Sequence, residues 1–140
     1  MIETPIQMRF ADVDQLGHVN NVNLQHYFDL GKTDYYWNVM HLTINWTKTG
    51  FIQKATSTVY EAQTRMGEPI VVRSKVEKIG TTSFGMYQEI VNRETGERKA
   101  YSHSTLVMFD FERQEKIPVP AEWRQAISDF EGTDLSAEAL

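Results

Sequence analysis

The fold of this chain is decided by the stretch Arg-Phe-Ala-Asp-Val-Asp-Gln-Leu-Gly-His-Val-Asn-Asn at residues 9–21. It begins in an alternating strand, passes through an acidic turn that contains Gly17, and reaches a long aromatic-rich segment with helical spacing. Asn20 suits the N-cap of that helix because asparagine is among the residues preferred there. We therefore predict a strand over 4–12 and a helix over about 21–40.

The predicted helix carries apolar or aromatic side chains nearly all round, so we expect other elements to cover it on several sides. Gly31 lies within it, although glycine weakens a helix by on the order of 1 kcal/mol relative to alanine. Close packing of the helix backbone against a strand would explain this glycine. Four strand-like runs follow, at about 51–63, 69–79, 83–92 and 98–111. After them come a short amphipathic helix at about 121–130 and a polar tail at 131–140.

This order of elements predicts an α+β fold, formed as one domain over residues 1–140. A curled antiparallel sheet of about five strands would wrap around one long central helix, with the last four strands in a meander. The long last strand would then offer an exposed edge, and exposed edges invite pairing with another chain. Edge-to-edge pairing of two sheets in a twofold dimer would cover it.

Composition excludes several classes of function. The formal net charge of −5 argues against a nucleic-acid-binding protein, which needs a basic face. The chain has no cysteine, so disulfides and thiolate chemistry are excluded. The first residues show neither a basic region nor an apolar run, and no stretch is apolar enough to cross a bilayer. We expect a cytoplasmic protein without a membrane span.

Three kinds of catalytic group lie close together around the acidic turn: the carboxylate of Asp14, the imidazole of His18 and the N-terminus of the helix. The first N–H groups of a helix have no intrahelical partner, and they suit a developing oxyanion. The residues alone leave open whether Asp14 and His18 are catalytic or simply stabilise the turn. Asp12 we assign to a structural role. The histidines lack the i, i+4 spacing of a helical zinc site, so we expect no metal.

The motif Arg-Phe-x-Asp-x-Asp-x-x-Gly-His-Val-Asn-Asn at residues 9–21, followed by Tyr27-Phe28, resembles the signature of hotdog-fold acyl thioesterases. It is most similar to the 4-hydroxybenzoyl-CoA thioesterase family and its relatives that act on acyl-CoA and acyl-ACP. The resemblance covers about 4–120 and is sharp over 9–28. It implies the architecture that periodicity predicts, assembled as dimers with active sites at the subunit interface.

The resemblance also implies the catalytic groups. Asp14 would attack the thioester carbonyl or activate a water molecule, and backbone N–H groups near Asn20 and Asn21 would polarise the thioester oxygen. His18 matches the His-Val-Asn-Asn pattern of plant acyl-ACP thioesterases, but Leu16 replaces an asparagine of that pattern. We include His18 among the candidate catalytic residues and leave its role open.

Substrate contacts are expected from Gly17, Val19 and Tyr27. We therefore predict a homo-oligomer, built from dimers, that hydrolyses acyl-CoA or acyl-carrier-protein thioesters without a cofactor. One alternative is a non-catalytic hotdog module that binds acyl chains or acyl-carrier protein. A less favoured one is an enoyl-thioester hydratase or dehydratase, with His26 and Asp29 as the acid and base.

Overall fold

The computed structural model describes residues 1–41, 48–133 and 135. Of the predicted polar tail over 131–140, residues 134 and 136–140 lie outside the described residues. None of the described helices is long and apolar enough to cross a bilayer. In chain order the elements are β1 (Ile2–Pro5), a 3-10 turn (Phe10–Asp12), α1 (Asn21–Asn38), β2 (Thr49–Tyr60), β3 (Ile70–Ile79), β4 (Ser83–Asn92), β5 (Arg98–Asp110), β6 (Glu115–Lys116) and α2 (Ala121–Glu131).

The strands form one antiparallel sheet in the order β1-β3-β4-β5-β2, to which the short β6 adds at the end of β5. Helix α1 packs against β1, β3 and β4. The predicted helix against an antiparallel sheet of about five strands is therefore confirmed. The meander is correct only for β3, β4 and β5, because β2 pairs with β5 instead of β3. The connection over 61–69 is longer than the roughly two to five residues of a hairpin loop, which lets the chain cross the sheet.

The exposed edge of the sheet is therefore not where the sequence pattern indicated. Strand β5 lies between β4 and β2, so the prediction that the last strand forms an edge was wrong. Strand β2 is the long edge strand, and most of its side chains are exposed. Alternation of polar and apolar residues shows which face of a strand is buried, but it carries no information about the neighbouring strand.

The first strand is shorter than predicted. It pairs with β3 over Ile2–Pro5, and the last backbone bond runs from the Ile6 N–H to the Ile70 carbonyl at 3.0 Å. The chain then leaves the sheet, because the Asp12 carboxylate accepts the Arg9 N–H at 3.0 Å and closes the 3-10 turn. Phe10, which lies within the predicted strand, is exposed.

The core consists of two apolar clusters, one at each end of α1, with a polar layer between them. In this layer the buried Gln88 amide donates to the Phe28 carbonyl and to Ser74 Oγ, both at 2.9 Å. Gly31 faces the same layer. A β-carbon at Gly31 would lie 2.6 Å from Val72 Cγ1, which confirms the expected close packing of helix on strand.

Helix α1 is covered on fewer sides than its composition suggests. Its buried residues face the sheet. Val22, Leu30 and Trp37 are exposed, so among the described residues nothing covers this part of the helix surface. The helix begins at Asn21, directly after the predicted N-cap, and α2 matches the predicted amphipathic helix.

Candidate active site

Residues 12–20 form a small hairpin that leads into α1. Its two arms are joined by a bond from the Asn20 N–H to the Asp12 carbonyl at 3.0 Å and one from the Asp14 N–H to the His18 carbonyl at 2.9 Å. Gly17 closes the turn with φ of 77°, a left-handed conformation that glycine adopts without strain. The hairpin therefore brings Asp14 opposite His18, two residues before the helix cap.

Asp14 both supports this turn and presents a carboxylate oxygen to solvent. Its Oδ1 accepts the N–H of Leu16 at 2.9 Å and that of His18 at 3.3 Å. None of the described residues donates a hydrogen bond to Oδ2, and the side chain is exposed. One oxygen thus positions the group while the other is accessible to a ligand.

The N-terminus of α1 has one N–H group that is still available. The Asn20 side chain caps the helix by accepting the Val22 N–H at 2.8 Å, as predicted. The Asn20 carbonyl accepts the N–H groups of Asn23 at 2.9 Å and Leu24 at 3.1 Å. Of the first-turn N–H groups, only that of Asn21 has no hydrogen-bond acceptor among the described residues. Among the N–H groups expected to act near Asn20 and Asn21, that of Asn21 is therefore the candidate donor.

Asp12 has the opposite environment to Asp14, in agreement with its structural assignment. It is 1% exposed, and its Oδ2 accepts both the Arg9 backbone N–H and the Tyr27 hydroxyl, the latter at 2.8 Å. Burial by itself would raise the pKa of Asp12, but these bonds and the Arg9 guanidinium outweigh it and hold the pKa below its ordinary value. Burial and the bond to Asp12 raise the pKa of Tyr27 above its ordinary range.

The connection between β2 and β3 supports the second arm of the hairpin. The Val19 N–H donates to the Thr64 carbonyl at 2.7 Å, and the Met66 N–H donates to the Gly17 carbonyl at 3.4 Å. Val19 is consequently buried, whereas His18 is only half-buried. The His18 ring has no hydrogen-bond partner among the described residues. Asp14, Gly17, His18, Val19, Asn20 and Asn21 thus belong to one small substructure.

A buried ion pair holds this connection in place. The Lys99 ammonium donates to the Gln63 carbonyl at 3.0 Å and pairs with Glu68 at 2.9 Å and with Glu97. Burial of Glu68 by itself would raise its pKa, but bonds from the Arg65 N–H, Lys99 and Asn92 outweigh it and lower the pKa. Sequence reasoning missed this cluster. Lys99 lies where the register of β5 against β4 shifts, and the alternation of residues along the strand does not reveal its burial.

Two of the cavities that described residues line lie beside α1. The larger, about 440 Å³, is lined by residues that include Asp12, His26, Tyr27 and Asp29. It therefore borders both the buried aspartate and the proposed hydratase pair of His26 and Asp29. The smaller, about 160 Å³, shares Asp29 and extends toward β2. No cluster of His, Cys, Asp or Glu among the described residues is arranged to hold a metal ion.

Comparison with known proteins gives one family match. The sequence pattern of the thioesterase-like superfamily matches residues 8–127, which is most of the chain. A search of curated protein sequences returned no match.

Solved structures with the same fold include the PA5185 protein from Pseudomonas aeruginosa, 23% identical, with a TM-score of 0.82 over 100% of this chain and 94% of that one. A thioesterase from Thermus thermophilus, in complex with coenzyme A and zinc, is 25% identical, with a TM-score of 0.79 over 93% of each chain. A 1,4-dihydroxy-2-naphthoyl-CoA thioesterase from Synechocystis is 22% identical, with a TM-score of 0.78 over 92% of this chain and 96% of that one. The sheet order and central helix described above are those of the hotdog fold.

Proposed function

The chain belongs to the thioesterase-like superfamily, and on this basis we propose that it hydrolyses an acyl thioester to a carboxylic acid and a thiol. The observation that carries the proposal is the exposed carboxylate of Asp14, fixed through Oδ1 with Oδ2 accessible. It lies on a hairpin that ends at the N-terminus of α1. Within the superfamily, the motif over 9–28 supports a place near the 4-hydroxybenzoyl-CoA thioesterases.

Asp14 acts in one of two ways. As a nucleophile, its Oδ2 attacks the thioester carbonyl carbon, the thiolate leaves, and water hydrolyses the resulting anhydride. As a general base, it takes a proton from the water molecule that attacks the same carbon. Both routes require an ionised carboxylate.

The Asn21 N–H is the proposed donor to the carbonyl oxygen, where negative charge develops in the transition state. Because Asn20 caps the helix, its role is to keep this N–H correctly oriented. Gly17 is exposed in the hairpin turn and is a proposed substrate contact, whereas the predicted substrate contact Val19 is buried. The Tyr27 hydroxyl is bound to Asp12, so Tyr27 would contact substrate through its ring.

A CoA ester is the favoured substrate form. The Thermus thermophilus neighbour contains coenzyme A, and the Synechocystis neighbour is named for a CoA ester. An acyl-carrier-protein ester remains the alternative, because the same carboxylate and N–H would act on either thioester.

We also propose that two chains pair through β2. This strand is a long, mostly exposed edge, and unpaired edges readily add a strand from another chain. Val22, Leu30 and Trp37 provide further exposed apolar surface on α1. Antiparallel pairing of β2 with its copy would make one continuous sheet.

The test is thiol release from a panel of aliphatic and aromatic acyl-CoA esters, measured beside the Asp14→Ala variant. Release by the wild type and not by the variant is the expected result. If no CoA ester is cleaved, the same acyl groups on acyl-carrier protein are tested. Saturable binding of both carriers without turnover would identify a binding module and refute hydrolysis.

A further inference from the structure

Helix α1 contains a lysine that is almost completely buried. Lys32 is 5% exposed, and its Nζ lies 3.5 Å from Oδ1 of Asp29, one turn earlier. An ammonium group has three N–H donors, so this one long contact leaves it short of acceptors among the described residues. A buried charge costs free energy unless it is paired and hydrogen-bonded. Lys32 therefore has unused capacity to bind an anion.

This lysine lines the cavity of about 160 Å³ between α1 and the edge strand β2. Phe51 and Leu106 give the cavity apolar walls. Tyr36 also lines it, and burial together with the charge of Asp29 raises the pKa of the Tyr36 hydroxyl. That hydroxyl stays protonated at neutral pH and can donate a hydrogen bond. Burial lowers the pKa of Lys32, and the charge of Asp29 opposes this shift. The cavity thus combines apolar walls with the Lys32 amino group and an O–H donor.

We propose that this cavity binds the far end of an acyl group that terminates in a carboxylate, with Lys32 as the cation that pairs with it. This inference rests on the proposed thioester hydrolysis and adds a substrate class, the monothioesters of dicarboxylic acids. Lys32 is a specificity-determining residue and takes no part in the reaction at the thioester.

The distances along α1 are compatible with this substrate. Asp29, beside which the Lys32 ammonium lies, stands eight residues after Asn21, or about 12 Å along the helix at 1.5 Å per residue. A medium-length acyl chain held by its thioester at the helix N-terminus spans that distance. Asp29 is the other charged residue lining the cavity; its side chain is 67% exposed, so solvent screens its repulsion of a second carboxylate.

Binding of non-hydrolysable thioether analogues of CoA tests the proposal without turnover. One analogue carries a medium-length alkyl chain that ends in a carboxylate, and its partner ends in a methyl group. Calorimetry compares both on the wild type and on Lys32→Met, which replaces a buried charge by an apolar side chain of similar length. Lys75→Met is the matched control, since it removes the same charge from a site beside Tyr87.

We expect the wild type and Lys75→Met to bind the carboxylate analogue about 10- to 100-fold more tightly than the methyl analogue. Lys32→Met should lose this preference and still bind the methyl analogue. Equal binding of both analogues by the wild type, no binding of either, or a preference that persists in Lys32→Met would overturn the proposal. If thioesters are hydrolysed regardless of the group that ends the acyl chain, the proposed function stands and this refinement is rejected. If the wild type prefers the carboxylate analogue but hydrolyses no thioester, the proposed function is refuted and the proposed binding site stands.

Discussion

The Tyr27 hydroxyl, in the second turn of α1, donates a hydrogen bond of 2.8 Å to Oδ2 of Asp12. This contact ties the base of the 12–20 hairpin to the central helix. Asp14, two residues later, is exposed on the same hairpin. Asp12 therefore holds the hairpin to the helix, and we propose that Asp14 is the catalytic carboxylate.

Asp14→Asn is expected to fold like the wild type and to lose thioester hydrolysis by a factor on the order of 10² to 10⁴. Asparagine keeps the Oδ1 acceptor that binds the Leu16 and His18 N–H groups, so the turn is preserved. Steady-state thiol release measures the loss, and thermal unfolding checks the fold. Asp129→Asn, at an exposed position on α2, serves as the control. Turnover close to wild type in Asp14→Asn would contradict the role of Asp14.

Asp12→Asn is expected to lower the free energy of unfolding by about 1–3 kcal/mol at neutral pH, because the hydrogen bonds to a buried carboxylate weaken. The pKa of Asp12 in the folded state lies below its ordinary value, so the ionised carboxylate stabilises the fold in full above the ordinary pKa of an aspartate. This contribution is lost as the pH falls through the folded-state pKa.

Urea unfolding at a series of pH values measures this dependence. The difference in stability between wild type and Asp12→Asn should shrink as the solution becomes more acidic than about pH 4. Asp14→Asn, which changes an exposed carboxylate, should show a much smaller difference throughout. A difference for Asp12→Asn that does not vary with pH would argue against the ionised, hydrogen-bonded carboxylate.

Gly31→Ala is expected to destabilise the protein by about 1–3 kcal/mol, through overpacking. Alanine has the better helix propensity, by about 1 kcal/mol, so a net loss must come from the close contacts of its β-carbon, at 2.6 Å to Val72 Cγ1, 2.8 Å to Gln88 Nε2 and 2.9 Å to Ser74 Oγ. A double-mutant cycle with Val72→Ala measures the coupling. The cost of Gly31→Ala should be smaller in the Val72→Ala background, and strict additivity would count against the contact.

Placing lysines at Ala55 and Ser57 of β2 is expected to dissociate the proposed dimer, because charged side chains on an edge strand oppose pairing. Sedimentation velocity compares this double variant with the wild type. Glu94→Lys, in the exposed turn between β4 and β5, is the control for added positive charge. A wild-type protein that sediments as a monomer would rule out the proposed pairing.

The sequence alone determined the local elements and the main candidate residues. Asn20 caps α1 as predicted, because the preference for a side-chain acceptor at this position depends on neighbouring N–H groups only. Gly31 indicated a close helix–strand contact because a glycine inside a helix lowers helix propensity and is explained by close packing. The structural role of Asp12 was also anticipated, since this residue is buried and hydrogen-bonded.

Only the tertiary structure decided which strands are neighbours, which strand is the edge, and which polar groups are buried. The pairing of β2 with β5 joins residues far apart in the chain. The residue pattern of a strand does not identify the strand that pairs with it. The burial of Lys32 and Lys99 likewise depends on elements packed from elsewhere in the chain. Local patterns specify what a segment prefers, whereas the environment of a side chain is set by long-range packing.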